Sequence, residues 1–573
     1  LGFDLDTALQ LQNHGARINH LSLKSTDGAG SLSAQGEAEW QPALRLEATA
    51  ELIKLDPGVL LPAWKGQLNG SLKASSTLIK QVPVVQFTAA LKNSQLRGYP
   101  LQMDARGSAS LQGETRQLTL DEFLLSSGGT TLQASGKLLP LLDAQLSVDA
   151  SDLKTLLPSL AGAVQLKASA QGAPTAPAIQ ATGNASGLHY DEHRIAAAQL
   201  ALDFSPKAES SARLTATGLQ LGSTKLASAS VVAEGRVERH SITLQASVIA
   251  PKSAASLTLV GAADLKTQRW QGSLQQSSFT PPYGPVWQQQ APGALGLAAA
   301  QQQLEATCWR GGTARLCLQA TLAAPLTRVA YRLENLDTAA FAALLPPDWQ
   351  LQTVLNGRGL VELNGAQPQT LDLDLTLSEG RIVIPGTTAL QLLPSSLQLQ
   401  QLGPVWQGKA SLLLDRGSLQ VDATLPVVGG PLVQRPISGN VLLDIPDLAW
   451  ASTLLPKVQD LRGAVAGRFV IDGNAGAPRL AGALNLSNGS LKVPSAGIVL
   501  KDITAEVRGA NTGVLNLSAS ASSGGSVNLS GTADFASGQP VVQLKITGED
   551  LQVADIADAR VWVSPDLVYA QDA

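Results

Sequence analysis

The chain has 573 residues, a length that suggests roughly four ordinary domains, yet no linker rich in Pro, Ser or charge divides it. Its 41 Lys and Arg are balanced by 45 Asp and Glu without a basic stripe, which argues against a nucleic-acid partner. Hydrophobic residues at 44 % exclude a disordered chain, and no apolar run reaches the ~18 residues that a membrane-spanning helix needs.

Aromatic residues are only 4 %, so the apolar surface is aliphatic, built of Leu, Val, Ile and Ala. The sequence begins at Leu1 without a signal peptide and already within a strand pattern. It reads as an excerpt of a longer protein. Near the start, Leu44, Leu46 and Ala48 alternate with polar residues. Alternation with period two puts the apolar side chains on one face of a sheet.

Helix signals interrupt the strands. Asp56-Pro57-Gly58-Val59-Leu60-Leu61-Pro62 resembles Asp152-Leu153-Lys154-Thr155-Leu156-Leu157-Pro158. Asp337 likewise leads to Leu344-Leu345-Pro346, and Asp447 to Leu454-Leu455-Pro456. Each Asp suits a helix N-cap, and each closing Pro ends the helix. The expectation is a helix of about two turns in each cassette. The closing prolines lie 96, 188 and 110 residues apart, so the long gap reads as two units with one helix lost. Together these signals predict one continuous repetitive region over 1–573, with units of roughly 55–150, 151–335, 336–446 and 447–573.

Paired glycines between alternating segments, as in Ser127-Gly128-Gly129-Thr130, Arg310-Gly311-Gly312-Thr313 and Ser523-Gly524-Gly525-Ser526, predict hairpins. Cys308 and Cys317, the two cysteines of the chain, flank one of these turns. A hairpin symmetric about Gly312-Thr313 sets them opposite each other, where a disulfide is expected; two free thiols are the alternative. A disulfide there implies an oxidising compartment.

Further along, Leu371, Leu373, Leu375 and Leu377 alternate with Asp372, Asp374 and Thr376, and Val542, Leu544 and Ile546 with Gln543 and Lys545. The apolar series is expected to line one face and the polar series to solubilise the other. The fold class is therefore all-β: a long antiparallel-rich sheet with a hydrophobic side and a few short helices.

Catalytic signals are absent. No nucleophile elbow occurs, and two cysteines lack the further ligands of a zinc site. His189 and His193 sit in a polar turn with Asp191 and Glu192 and are expected to face solvent. Gly403-Pro404-Val405-Trp406-Gln407-Gly408-Lys409-Ala410 has the spacing of a phosphate-binding loop, but Ala410 replaces the Mg²⁺-holding hydroxyl residue. Its flanks read strand–turn–strand, so no helix N-terminus faces a phosphate. No enzyme activity, metal or cofactor is expected.

Tyr283-Gly284-Pro285-Val286-Trp287, followed by Cys308-Trp309 and Leu316-Cys317, resembles the middle of the TamB family, translocation and assembly module proteins of the Gram-negative envelope. The Asp…Leu-Leu-Pro cassettes and the run Leu484-Asn485-Leu486-Ser487-Asn488-Gly489-Ser490-Leu491-Lys492-Val493-Pro494 are similar in style to that family's repeats, which are related to AsmA-like and bridge-like lipid-transfer proteins. The resemblance implies a sheet curled into an open, taco-like trough with a hydrophobic interior. At about 12 residues per strand and turn, the chain would hold on the order of 45 strands and stack to the order of 200 Å.

What the resemblance implies about function is a periplasmic groove for phospholipids between inner and outer membranes. Its lining would include Leu44, Leu46, Leu371, Leu373, Leu375, Leu377, Leu484, Leu486, Val542, Leu544 and Ile546. The alternative is a factor that assembles outer-membrane β-barrel proteins. The implied partners are phospholipid acyl chains and an outer-membrane β-barrel protein of the same module. An inner-membrane anchor would lie outside this sequence.

Overall fold

The computed structural model describes all residues except 1–2, 26–27, 29, 42–43, 60, 80–81, 111–115, 156–158, 366, 386–388, 428–429, 456, 510–513, 535–540, 557–558 and 572–573. Strands hold 77 % of the described residues and helices 4 %, so the fold is all-β. The described chain forms 41 strands in two compact units, Leu1–Pro282 and Tyr283–Ala573.

The first unit is an antiparallel meander in which each strand from Phe3–Gln12 to Arg269–Thr280 pairs with its successor. Local turns account for this order. Ser127 pairs with Thr130 across Gly128 and Gly129, whose φ values of +51° and +87° belong to a two-residue hairpin turn.

The second unit continues the same logic from Gln302–Gly311 and Ala314–Ala323 to Val541–Glu549 and Asp566–Gln571. Short strands at Gln350–Gln352, Gly380–Val383 and Leu390–Leu392 pair beside its main meander. Leu551–Ile556 and Ala559–Val563 form a separate two-stranded sheet.

The cassettes are 3₁₀: the first two are single turns of three residues, and the last two run seven and six residues, about the two turns expected. They span Pro57–Val59, Leu153–Thr155, Thr338–Leu344 and Ala449–Leu454. The aspartates do cap them. Asp56 accepts from Gly58 N and Gly66 N at 2.8 Å each, Asp152 from Lys154 N at 3.0 Å, and Asp337 and Asp447 from Ala339 N and Ala449 N at 2.9 Å each. An Asp bonded to the amide two residues on closes a tight turn, and that geometry suits a short connection between strands better than a long helix. The expected helical residues Leu60, Leu156 and Leu157 and the closing Pro158 and Pro456 lie outside the described residues.

In chain order, six strands separate Pro57–Val59 from Leu153–Thr155. Six main strands also separate Thr338–Leu344 from Ala449–Leu454, setting the three short ones aside. An even number of antiparallel strands returns the chain to the same end of its sheet. Within each unit, both capped turns therefore sit at one margin.

Glycines shape the apolar face at particular points. A Cβ at Gly359 would stand 2.5 Å from Tyr331 Cε1, and one at Gly107 would stand 2.7 Å from Phe87 Cζ. In each case the aromatic ring of the adjacent strand lies across the glycine and fills its place. Burial, with the negative charges of Asp374 and Asp372, pushes the Tyr331 phenol up.

Candidate apolar binding face

The residues with chemistry are few, and the apolar face is the feature that recurs. In the second unit, register ties the expected lining residues together. Leu375 pairs with Leu397, then Ala410, Val421, Val441 and Phe469 in turn. Further rows run from Leu443 through Gly467, Leu484, Val507, Leu517 and Gly531 to Leu544. Paired residues share a face, so Leu371, Leu373, Leu375, Leu377, Leu484, Leu486, Val542, Leu544 and Ile546 stand on one side of that unit's sheet.

Leu46 occupies the corresponding face of the first unit, opposite Ala38, and Leu44 stands just before its strand. Another row there runs through Phe123, Ala134, Leu146, Ala168, Ala181 and Leu202. A neighbouring row on the same side runs through Val148, Leu166, Gly183, Leu200, Leu214, Val231, Leu244 and Leu257.

Exposure follows polarity along the strands. Leu371, Leu373, Leu375 and Leu377 are half-buried, whereas Asp372 and Thr376 are exposed. Val542, Leu544 and Ile546 are half-buried between exposed Gln543 and Lys545. Asp374 departs from the pattern. Its Oδ2 pairs with Arg358 at 3.2 Å, while its buried Oδ1 has no hydrogen-bond partner.

Half-burial is the decisive property of the face. A two-layer domain would bury it fully. The chain exposes 33414 Å², whereas two separate compact globules of half its mass would expose about 23,000 Å². The excess is what single-layer sheets produce. The second unit's face also has a recess of about 270 Å³, lined by Leu355, Leu375, Leu377, Leu397, Leu412 and Leu419. A larger crevice of about 850 Å³ in the first unit is bordered by Gln145, Lys167 and Gln180, side chains of the polar side.

Cys308 and Cys317 pair directly across the Gly312-Thr313 turn and are joined, with Cα atoms 4.0 Å apart. The segment before this hairpin packs onto it. A Cβ at Gly311 would lie 2.9 Å from both Pro285 Cγ and Trp287 Cδ2, and Trp287 and Trp309 are buried. Pro285 and Trp287 of the Tyr283–Trp287 motif therefore pack against the hairpin that carries Cys308 and Cys317.

Sequence reading missed the junction of Trp406 and Arg435. The buried Arg435 guanidinium stacks 5.1 Å from the Trp406 ring centroid and donates to the carbonyls of Gly430, Pro426 and Val427. This anchors the connection after Gly417–Pro426 over one end of the apolar face. An isolated Arg in a loop carries no sequence signal for such a role.

Gly403 and Pro404 form a two-residue turn between Leu402 and Val405, as the strand–turn–strand reading of that segment expects. His189 and His193 flank the Asp191-Glu192 turn. Among the described residues, no three His, Cys, Asp or Glu side chains gather into a metal-binding group. No helix among them is long and apolar enough to cross a membrane.

Residues 2–486 match the family model described as the TamB N-terminal domain. The Haemophilus influenzae translocation and assembly module subunit TamB is 23 % identical over 495 residues, which are 85 % of this chain and 37 % of that protein. The chain thus spans little more than a third of that relative's length. With the family match extending over most of its residues, the chain belongs to the TamB family.

Proposed function

We propose that the chain is part of a Gram-negative envelope protein that carries phospholipid acyl chains along its apolar faces between the inner and outer membranes. The observation that carries this reading is the half-buried, one-sided aliphatic face held in a single layer of sheet. Leaving such surface in water costs about 25 cal/mol per Å², and each exposed lipid CH₂ costs about 0.8 kcal/mol. Contact between the two removes both costs.

The lining lacks the convergent polar groups that fix a small molecule in one pose. Aliphatic contact alone gives shallow, similar minima, which suits sliding rather than capture. Headgroups remain wet outside the apolar face, and direction must come from parts of the protein beyond these residues. A periplasmic location, with an anchor elsewhere in the full protein, fits this role.

A second reading is assembly of outer-membrane β-barrel proteins. The printed name of the Haemophilus influenzae relative, a translocation and assembly module subunit, favours it. On this reading an outer-membrane barrel protein would be the partner, and client strands would pair with sheet edges. Photo-crosslinkers at Leu373 and Leu375, against Asp372 as control, test the primary reading in cells. Phospholipid adducts at the leucines alone support it, and adducts with barrel precursors favour the second reading.

A further inference from the structure

Glycine is a poor strand residue, yet the second unit's apolar face carries it repeatedly. Gly357 and Gly359 pair with Leu375 and Leu373, Gly408 with Leu399, Gly467 with Leu484 and Gly531 with Leu544. None of these glycines has a positive φ, so the backbone conformation does not call for glycine there.

Side chains of the neighbouring strands take the missing Cβ places. A Cβ at Gly357 would meet Leu375 Cδ2 at 2.5 Å, and one at Gly467 would meet Leu484 Cδ1 at 2.7 Å. The carbonyls nearest those two positions are farther off, Asp374 O at 3.5 Å and Ala483 O at 3.1 Å. At Gly359 the Tyr331 ring comes to 2.5 Å, with Asp372 O beside it at 2.6 Å, and Tyr331 Cε2 reaches to 3.6 Å from the Cβ place of Gly357. The first unit repeats the arrangement at Gly183, where Leu166 Cδ1 lies 3.0 Å and Gln165 O 2.9 Å from the Cβ place. These side chains lie along the sheet instead of standing on it. One Leu375 methyl leans toward Gly357, away from Leu397 on the other flank, and the recess of about 270 Å³ lies toward Leu397, Leu412 and Leu419.

We infer that Gly357 and Gly467 are positioning residues for acyl chains: they take in the end groups of Leu375 and Leu484, and so keep the second unit's apolar face level and its recess open. This inference rests on the lipid reading above and adds which residues shape the path. Leucine supplies the aliphatic contact, and the facing glycine removes the obstacle that the same leucine makes when it stands upright. A role in the path and a role in folding part company on substitution by Ala. At Gly357 and Gly467 an added Cβ displaces chiefly the end of a flexible leucine, and Ala at an ordinary φ also narrows the unfolded ensemble. Stability therefore holds or rises, while the displaced leucine stands across the face.

The test uses the 573-residue chain and vesicles of phosphatidylethanolamine and phosphatidylglycerol. Phospholipid transfer from donor to acceptor vesicles and urea unfolding are measured side by side. Gly357→Ala with Gly467→Ala is expected to unfold at no lower urea than the unaltered chain and to transfer lipid severalfold more slowly. Adding Leu375→Ala and Leu484→Ala removes the displaced leucines. It is expected to lower stability yet return transfer toward the starting rate, a split that a purely structural role does not produce. Unchanged transfer by the folded double variant would overturn the positioning role and leave the lipid reading intact. So would a slowed rate that falls in step with stability, or one that stays slow when the leucines are removed. No transfer by the unaltered chain would overturn both.

Discussion

Replacing Leu373 and Leu375 together by Asp sets two carboxylates side by side on the second unit's apolar face, one of them in the 270 Å³ recess. Both leucines are half-buried, so the lost burial costs about 1 kcal/mol each. The carboxylates stand about 7 Å apart along the strand, and their repulsion adds on the order of 1–2 kcal/mol at a surface dielectric. The sheet should survive this, because water reaches the charges when no lipid is present. An acyl chain sliding over them must displace that water. The least costly route is protonation of each Asp, which from an ordinary pKa near 3.9 costs about 4 kcal/mol at pH 7. At about 1.4 kcal/mol per tenfold, one carboxylate slows passage about a thousandfold, and the pair slows it further.

The sign follows from the same step. The block is full well above the Asp pKa and weakens about tenfold per site for each unit by which pH falls toward it. Leu373→Asn with Leu375→Asn adds polarity without that titration. The assay is phospholipid transfer between donor and acceptor vesicles at pH 5 and pH 7, with circular dichroism to confirm the strands. Unchanged transfer at pH 7 by the folded Asp variant would refute the sliding mechanism. An equal block at both pH values would refute the desolvation argument.

Other outcomes follow from local geometry. Alkylation of protein from its native compartment without reductant should label neither Cys308 nor Cys317; two labelled thiols would contradict the disulfide. Replacing the pair with serines should lower the stability of one hairpin by up to about 3 kcal/mol, read as faster amide exchange around Gly312, and leave distant strands protected. Asp56→Ala removes the acceptor of two amides and should cost about 1–2 kcal/mol, with exchange rising at Gly58 and Gly66. Gly359→Val puts a branched side chain where the Tyr331 ring lies, so a loss of about 1–3 kcal/mol in urea unfolding is expected. Tyr331→Ala in the Gly359→Val background should recover part of that loss.

The strands and their faces were legible because alternation is a local signal. Leu371–Leu377 and Val542–Ile546 are set by their own sequence, and register then places both series on one side of the second unit. The hairpins at Gly128 and Gly312 were legible for the same reason, since glycine meets the positive φ of their turns. The turn length of the cassettes was not. An Asp cap and a closing Pro mark both ends of a helix, but the space between strands decides whether it stays at one 3₁₀ turn, as at Pro57–Val59 and Leu153–Thr155, or runs to two, as at Thr338–Leu344 and Ala449–Leu454. The buried row of paired residues Ser94, Leu101, Ser127, Thr130 and Ala150 was also hidden. It depends on register across five strands and on Thr155 folding back, and Ser and Thr look like surface residues in sequence. Arg435 escaped because its partners, Trp406 and three carbonyls, are brought to it only by the fold.

The claim that the apolar faces hold lipid is tested most directly by native mass spectrometry of the chain purified from a Gram-negative host without detergent. Adducts with phospholipid masses, lost when Leu373 and Leu375 are both Asp, are the predicted result. Lipid-free chain, recovered folded from the same membranes, would contradict it.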